Sequence, residues 1–143
     1  MDKVGHATTA YSISWLGYQT YKWAGVPEKK AVWYGGGIGL AYESIIEILD
    51  GFSAGWGFSP GDEAADILGS GLFISQQLLW EKQRVLFKRS FHPTKYSDYR
   101  PDLLGKNYIE KLNKDYNGLT FWFSTNIYDF LGSESKFPKW LNI

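Results

Sequence analysis

Hydrophobic and polar positions follow a helical period through most of this chain's first 89 residues. Three apolar segments, 4–24, 28–50 and 60–87, carry small and aromatic residues at the i, i+3 and i+4 spacing of a buried helix face. Gly25 and Pro27 separate the first two segments, and Gly51 and Pro60 border the loop before the third. The pattern therefore predicts three main helices, each with a defined start and end.

The remainder of the chain is less regular. Pro93 and Pro101 interrupt residues 90–103, while residues 104–112 have the pattern of a short fourth helix. Residues 119–131 are ambiguous, because TFWFSTN alternates weakly like a strand and the residues after it suggest a helical turn; we favour a helix. The predicted fold class is all-α: three main helices, a short fourth helix and a loop-rich C-terminal region. We expect one helical domain, 1–143, with a core at 2–89 and an irregular part at 90–143.

Acidic residues interrupt the second apolar segment at helical spacing. Glu43, Glu47 and Asp50 stand at i, i+4 and i+7, so a helix places them on one face. Glu47 is flanked by isoleucine and leucine, and no lysine lies within three turns of it on the same helix. A buried ionised carboxylate without a partner costs several kcal/mol, so we expect Glu47 to be paired from another helix.

Two further segments repeat this spacing. Asp62 and Asp66 are four residues apart in the third segment, as are Asp2 and His6 near the N-terminus. We predict that these groups converge at one end of a helical bundle. The predicted polar cluster consists of Asp2, Lys3, His6, Glu47, Asp50, Asp62 and Asp66.

The chemistry of this predicted cluster leaves three interpretations open. It can be a structural network in which Lys3 neutralises an acid and the aspartates cap helices. Histidine and carboxylates on facing helices are also the usual ligands of a metal site inside a bundle, and the candidate ligands are His6, Glu47, Asp50 and Asp62. Finally, crowded carboxylates can act as general acid and base without a metal.

A glycine run, Gly35-Gly36-Gly37-x-Gly39, lies inside the second predicted helix. It does not follow a strand, so it is not a phosphate-binding loop. Small residues in a helix allow a neighbouring helix to approach closely. We therefore expect Gly35, Gly36 and Gly39 to face another helix.

Composition limits the classes of partner. The net charge is zero and no basic block occurs, which argues against a nucleic-acid partner. Cysteine is absent, which excludes disulfides and thiolate metal sites. Aromatic residues make up 18% of the chain, an enrichment typical of membrane interfaces and ligand-binding surfaces. Mean hydropathy is −0.29, too polar for an ordinary polytopic membrane protein. We therefore expect a peripheral relation to a membrane or envelope lipid; the sequence does not indicate a protein partner.

Several motifs resemble a known family. Residues 2–6 (DKVGH), 47–53 (EILDGFS), 56–62 (WGFSPGD) and 137–142 (FPKWLN) resemble the YfiM-like family of predicted periplasmic lipoproteins, whose function is unknown. The order of the acids and histidine is more remotely similar to VanZ-like membrane proteins, which are linked to glycopeptide tolerance. The resemblance implies a bacterial envelope location, periplasmic or outer-membrane associated. Asp66 stands where the family pattern has Asn. The chain opens without a recognisable signal peptide, so we expect the sequence to correspond to the core of a longer protein.

Together these observations favour a non-enzymatic envelope protein whose polar cluster is structural or binds a ligand. The alternative is an envelope enzyme, or a lipid- or glycan-binding protein, that uses the same cluster with or without a divalent metal. No cofactor other than such a metal is indicated.

Overall fold

Three long helices form the body of the molecule. A computed structural model describes residues 2–53, 57–131 and 135–143. The helices are α1 (Asp2–Trp23), α2 (Glu28–Gly51) and α3 (Pro60–Trp80), and each packs against the other two. Gly25, with φ +82°, makes the turn from α1 into α2. All three predicted long helices are thus present. Trp56, in the loop before α3, lies outside the described residues.

The all-α prediction is wrong, because the chain contains a two-stranded antiparallel sheet. We call this sheet the hairpin, although a long segment with short helices connects its two strands. Strand β1 (Val85–Phe91) pairs with β2 (Leu119–Thr125), with Val85 opposite Thr125 and Phe91 opposite Leu119. We expected α3 to continue to residue 87, but it ends at Trp80, where Glu81 adopts a left-handed conformation with φ 54°. The aromatic residues after this break pack across the hairpin, and the rings of Phe87 and Phe123 stack with centroids 4.5 Å apart.

The C-terminal region also differs from the prediction. The segment 119–131, which we favoured as a helix, is β2 followed by a single 3₁₀ turn, Ile127–Asp129. The predicted helix 104–112 is displaced to α6 (Tyr108–Lys114), because the side chain of Asn107 accepts a hydrogen bond from the backbone N–H of Glu110 and caps the helix there. Two single turns, α4 (Tyr96–Tyr99) and α5 (Pro101–Leu104), lie within the segment predicted to be irregular.

Close backbone contact holds α1 and α2 together. A Cβ atom at Gly35 would lie 2.5 Å from the backbone nitrogen of Tyr18, and one at Gly39 would collide with Ala10 and Ser14. Gly36 faces α3, where it contacts the side chain of Ile74. The glycine run is therefore a helix-packing surface, as the sequence predicted.

The interior between the helices is partly polar. Ser14 donates a hydrogen bond to Ser70 over 3.2 Å, and Gln77 donates one to the hydroxyl of Tyr18 over 3.1 Å. The buried apolar cluster is small; it consists of Tyr11, Tyr18, Ala31, Val32 and Phe73. None of the helices within the described ranges carries an apolar stretch long enough to cross a membrane. The helices thus meet through small residues and hydrogen bonds more than through large apolar side chains.

Adding one methyl group to α2 distinguishes the packed glycines from the free ones. Gly39→Ala should lower the free energy of unfolding by about 1–3 kcal/mol, because the new Cβ has no space beside α1. Gly37→Ala is the matched control: nothing lies within 4 Å of its Cβ position, so it should stabilise the helix by about 0.5–1 kcal/mol. Chemical denaturation measures both. Equal effects of the two substitutions would contradict the packing described here.

Candidate functional site

Three of the predicted acids, Glu47, Asp62 and Asp66, lie together with Glu43 at one end of the three-helix body. Because α2 runs back along α1, the end of α2 lies beside the beginnings of α1 and α3. Four carboxylates from α2 and α3 are almost completely buried there, with exposed fractions of 6% or less: Glu43, Glu47, Asp62 and Asp66. Asp66 is fully buried at 0%. We refer to these four acids together with His6 as the acidic cluster.

His6 links the three helices within this cluster. Its Nδ1 atom lies 3.2 Å from Asp66 Oδ1 on α3 and 3.4 Å from Glu43 Oε2 on α2. Among the described residues, none donates a hydrogen bond to the other oxygen of Glu43, Oε1, although that oxygen is buried. A buried carboxylate oxygen without a donor is costly, so Glu43 is the least satisfied member of the cluster.

The other two acids of the cluster, Asp62 and Glu47, each accept a hydrogen bond from a group outside it. Lys3 Nζ donates to Asp62 Oδ1 over 2.8 Å. Glu47 Oε1 accepts a short hydrogen bond from the backbone N–H of Ser59, just before α3. Glu47 is therefore buried, as the sequence predicted, but its hydrogen-bond partner is a loop amide, whereas we expected a group on another helix.

Burial and crowding shift the ionisation of the cluster. Desolvation, followed by the charge of Asp66, raises the pKa of Glu43 to about 7. Desolvation also raises the pKa of Asp66 to about 6, against the opposing charge of His6. For His6, desolvation acts to lower the pKa, but the surrounding carboxylates outweigh it and the pKa is raised. For Asp62, desolvation is outweighed by the hydrogen bond from Lys3 and the other favourable contacts, so its pKa is lowered.

Two groups of three side chains have metal-ligand geometry. The ligand atoms of His6, Glu43 and Asp66 lie within 4.8 Å of one another, and so do those of His6, Glu47 and Asp62. The two groups share His6, so one ion at a time can use it. In the second group Lys3 and the Ser59 amide already occupy carboxylate oxygens. The first group, His6–Glu43–Asp66, is thus the better candidate for a cation.

A cavity of about 420 Å³ opens directly beside His6 and Glu43. Its walls come from α1, α2, β1, α6, β2 and the segment between α6 and β2. Besides those two residues it is lined by Gly5, Thr9, Tyr42, Ile46, Arg89, Leu112, Tyr116, Leu119 and Phe121. The positive charge of Arg89 on β1 counteracts the rise in the pKa of Glu43. The cluster therefore has an open side large enough for a small ligand.

The predicted site residues have different positions. His6, Glu47, Asp62 and Asp66 lie together in the acidic cluster, and Lys3 is bonded to Asp62 at its edge. Asp50 is only half-buried and belongs to neither metal-ligand group found in the part of the chain that is described, so the predicted ligand set of His6, Glu47, Asp50 and Asp62 loses that member. Asp2 is the first residue of α1, and its side chain is not among the parts of the chain that the structure describes.

Two residues of the site were missing from the predicted cluster. Glu43 was recognised on the acidic face of α2 but not selected, although it stands one helical turn before Glu47. Arg89 lies on β1 and lines the cavity. The spacing of the acids could have indicated Glu43. Arg89 could be placed only by knowing that the hairpin forms.

Comparison with known proteins gives the chain a family. Residues 1–77, just over half of the chain, match the family described as "Predicted periplasmic lipoprotein (DUF2279)". The chain belongs to this family. The match contains every residue of the acidic cluster and stops before the hairpin. Searches among curated proteins and among solved structures found no match. Family membership agrees with an envelope location and assigns no activity.

The pKa shifts predict that the metal-free protein is more stable in mild acid. A carboxyl group whose pKa is raised by folding contributes stability below its unfolded pKa, near 4, and loses it as the pH rises through its folded pKa. For Asp66 and Glu43 that folded pKa is about 6 and about 7. The raised pKa of His6 acts in the same direction. With a chelator present, the free energy of unfolding should be about 2 kcal/mol higher near pH 5.5 than near pH 8.

Two substitutions test the origin of this dependence. Glu43→Gln should stabilise the chelated protein near pH 8 and reduce the difference between the two pH values. Asp62→Asn is the control with opposite sign, because a lowered pKa contributes stability above about pH 4; it should destabilise at both pH values. Denaturation curves at the two pH values measure this. A pH dependence that Glu43→Gln leaves unchanged would exclude Glu43 as its source.

Proposed function

We propose that this envelope protein binds a divalent metal ion with His6, Glu43 and Asp66, and that it acts as a binding protein. The observation that carries the proposal is Glu43 Oε1, a buried oxygen without a hydrogen-bond donor from any described part of the chain. It belongs to a carboxylate that also lies within salt-bridge distance of His6 and lines the cavity. An ion at this position would supply the missing partner.

The charges of the cluster support a cation. Four buried carboxylates face one histidine, one lysine that is bonded to Asp62, and Arg89 on the other side of the cavity. Without an ion, protonation of the carboxylates removes the excess negative charge, and the pKa values of Glu43 and Asp66 are raised for this reason. A divalent cation replaces those protons and compensates the desolvation of both carboxylates.

The donor atoms narrow the choice of metal. One imidazole nitrogen and two carboxylates suit first-row divalent ions such as Zn²⁺ or Mn²⁺ better than Ca²⁺, which prefers oxygen ligands alone. Three protein ligands beside a cavity leave a coordination position open on that side. The structural network favoured from the sequence makes the opposite prediction, since it needs no ion. The alternative of an envelope enzyme, or of a lipid- or glycan-binding protein that uses the His/carboxylate cluster, remains a prediction from the sequence. So do the outer-membrane association and the YfiM-like and VanZ-like resemblances.

Metal analysis tests the proposal directly. The protein is stripped with a chelator, incubated with Zn²⁺ or Mn²⁺, separated from free ion and analysed for metal content, with affinity measured by calorimetry. One ion per chain is expected. Glu43→Gln and Asp66→Asn should each weaken binding by about 100-fold or more, and the affinity should fall as the pH is lowered from about 7.5 to 5.5, because protons compete for the ligands.

Asp62→Asn is the matched control for the metal experiment. It removes a carboxylate from the other metal-ligand group, so binding at His6, Glu43 and Asp66 should persist. Circular dichroism of each variant confirms that it is folded. Loss of the ion in Asp62→Asn with retention in Asp66→Asn would assign the site to His6, Glu47 and Asp62. Absence of binding by the folded wild-type protein would overturn the proposal in favour of a structural network.

A further inference from the structure

Helix α2 exposes an apolar stripe along its length. The stripe, which we call the outer face of α2, consists of Trp33, Tyr34, Ile38, Tyr42, Ile45, Ile48, Leu49 and Phe52. Each side chain is exposed by at least 42%, and Phe52 reaches 86%. The positions recur at three- and four-residue steps, so they form one continuous surface about 30 Å long.

The polarity of the two sides of α2 is the reverse of that in a surface helix of a water-soluble protein, whose apolar side is buried. The buried side carries Gly35, Gly36 and Gly39, followed by Glu43 and Glu47. Beyond Lys30 the outer face of α2 carries no charged residue, and the sequence has none between Lys30 and Glu43. Helix α3 has the same character, with exposed Leu68 and Leu79 outside and buried Gln76 and Gln77 inside. An exposed apolar surface of this extent indicates that something covers it.

We propose that the outer face of α2 lies against a phospholipid bilayer, with the helix in the plane of the interface and its apolar side chains at the boundary between headgroups and acyl chains. An amphipathic helix that binds in this way combines an apolar stripe with cations that reach the headgroups. Lys29 and Lys30 are both exposed, one turn before Trp33 and Tyr34. Tryptophan and tyrosine concentrate at the level of lipid headgroups, and lysines beside them attract anionic lipids.

The same features favour a lipid surface over a second protein molecule. A specific protein interface has polar groups that fix the partner's position. On the outer face of α2 only the indole of Trp33 and the hydroxyls of Tyr34 and Tyr42 are polar, and all three lie in its first half. A bilayer needs no such register, since it accepts any apolar surface with a cationic and aromatic border.

Vesicle sedimentation tests the position of the contact. The full chain is mixed with vesicles of phosphatidylethanolamine and phosphatidylglycerol and sedimented in low salt. Ile45→Glu and Leu49→Glu should each reduce the bound fraction by about tenfold, because a carboxylate would enter the apolar layer. Leu103→Glu on α5 is the matched control: Leu103 is 65% exposed and Leu49 is 62%, so the charge and exposure are alike and only the position differs. This control should bind like the wild type.

The lysines provide a second, independent measurement. Lys29→Gln and Lys30→Gln should each weaken binding to the anionic vesicles by about fivefold and leave binding to uncharged phosphatidylcholine vesicles unchanged. Raising the salt concentration should reduce the effect of both substitutions, because it screens the headgroup charge.

Fluorescence quenching locates the outer face in the bilayer. Lipids brominated on their acyl chains quench nearby tryptophan. Trp33→Phe should remove most of this quenching, whereas Trp140→Phe, which changes an even more exposed tryptophan in the C-terminal region, should not.

Each alternative outcome contradicts the proposal in a distinct way. Wild-type protein that stays in the supernatant, or equal loss of binding in Leu49→Glu and Leu103→Glu, would overturn it. A lipid-free dimer in analytical ultracentrifugation that Ile45→Glu dissociates would assign the outer face of α2 to a second copy of the chain. Metal content measured on the same variants separates this proposal from the metal site, because Ile45→Glu and Leu49→Glu should retain the ion.

Discussion

The contact of one histidine with two carboxylates is the interaction on which the acidic end of this molecule depends. His6 on α1 approaches Asp66 of α3 and Glu43 of α2, so one ring connects all three long helices. Without it, two buried carboxylates would face each other with no positive group between them. The pKa values of Glu43 and Asp66 are nevertheless raised, because a single imidazole does not fully compensate the desolvation of the two carboxylates.

The glycines of α2 make that contact geometrically possible. Their close approach to α1 brings the axes of α1 and α2 near enough for Glu43 to reach His6. Gly69 of α3 meets the backbone of Ala7 in the same manner, one residue after His6. Stability in this bundle therefore comes from close backbone packing and internal hydrogen bonds. Many large apolar side chains lie on the outside, and those of α2 form its outer face.

Local sequence signals were sufficient for the long helices and for most of the cluster. Gly25, Pro27 and Pro60 mark helix boundaries through backbone properties that do not depend on the rest of the fold. The four-residue spacing of Asp62 and Asp66 placed both on one face of α3. The choice between Glu43 and Asp50 as neighbour of His6 required the relative rotation and depth of α1 and α2, which spacing along one helix does not contain.

The hairpin could not be predicted from local pattern. Strand β1 follows a charged stretch that continues the period of α3, and its strand character arises from pairing with β2 after a long intervening segment. The two strands are individually ambiguous, and each gains its partner only in the folded chain. The error in the fold class and the failure to place Arg89 therefore have the same cause.

The division between the matched family region and the hairpin suggests how the site is assembled. Residues 1–77 contain His6, Glu43 and Asp66, together with the glycines that bring their helices close. The opposite wall of the cavity, including Arg89 and Tyr116, comes from residues after the match. The helical part alone thus holds the groups that would bind an ion, whereas the hairpin and the segment before β2 shape what can approach it. The residues of the proposed cation site and the outer walls of the cavity are consequently built from different segments of the chain.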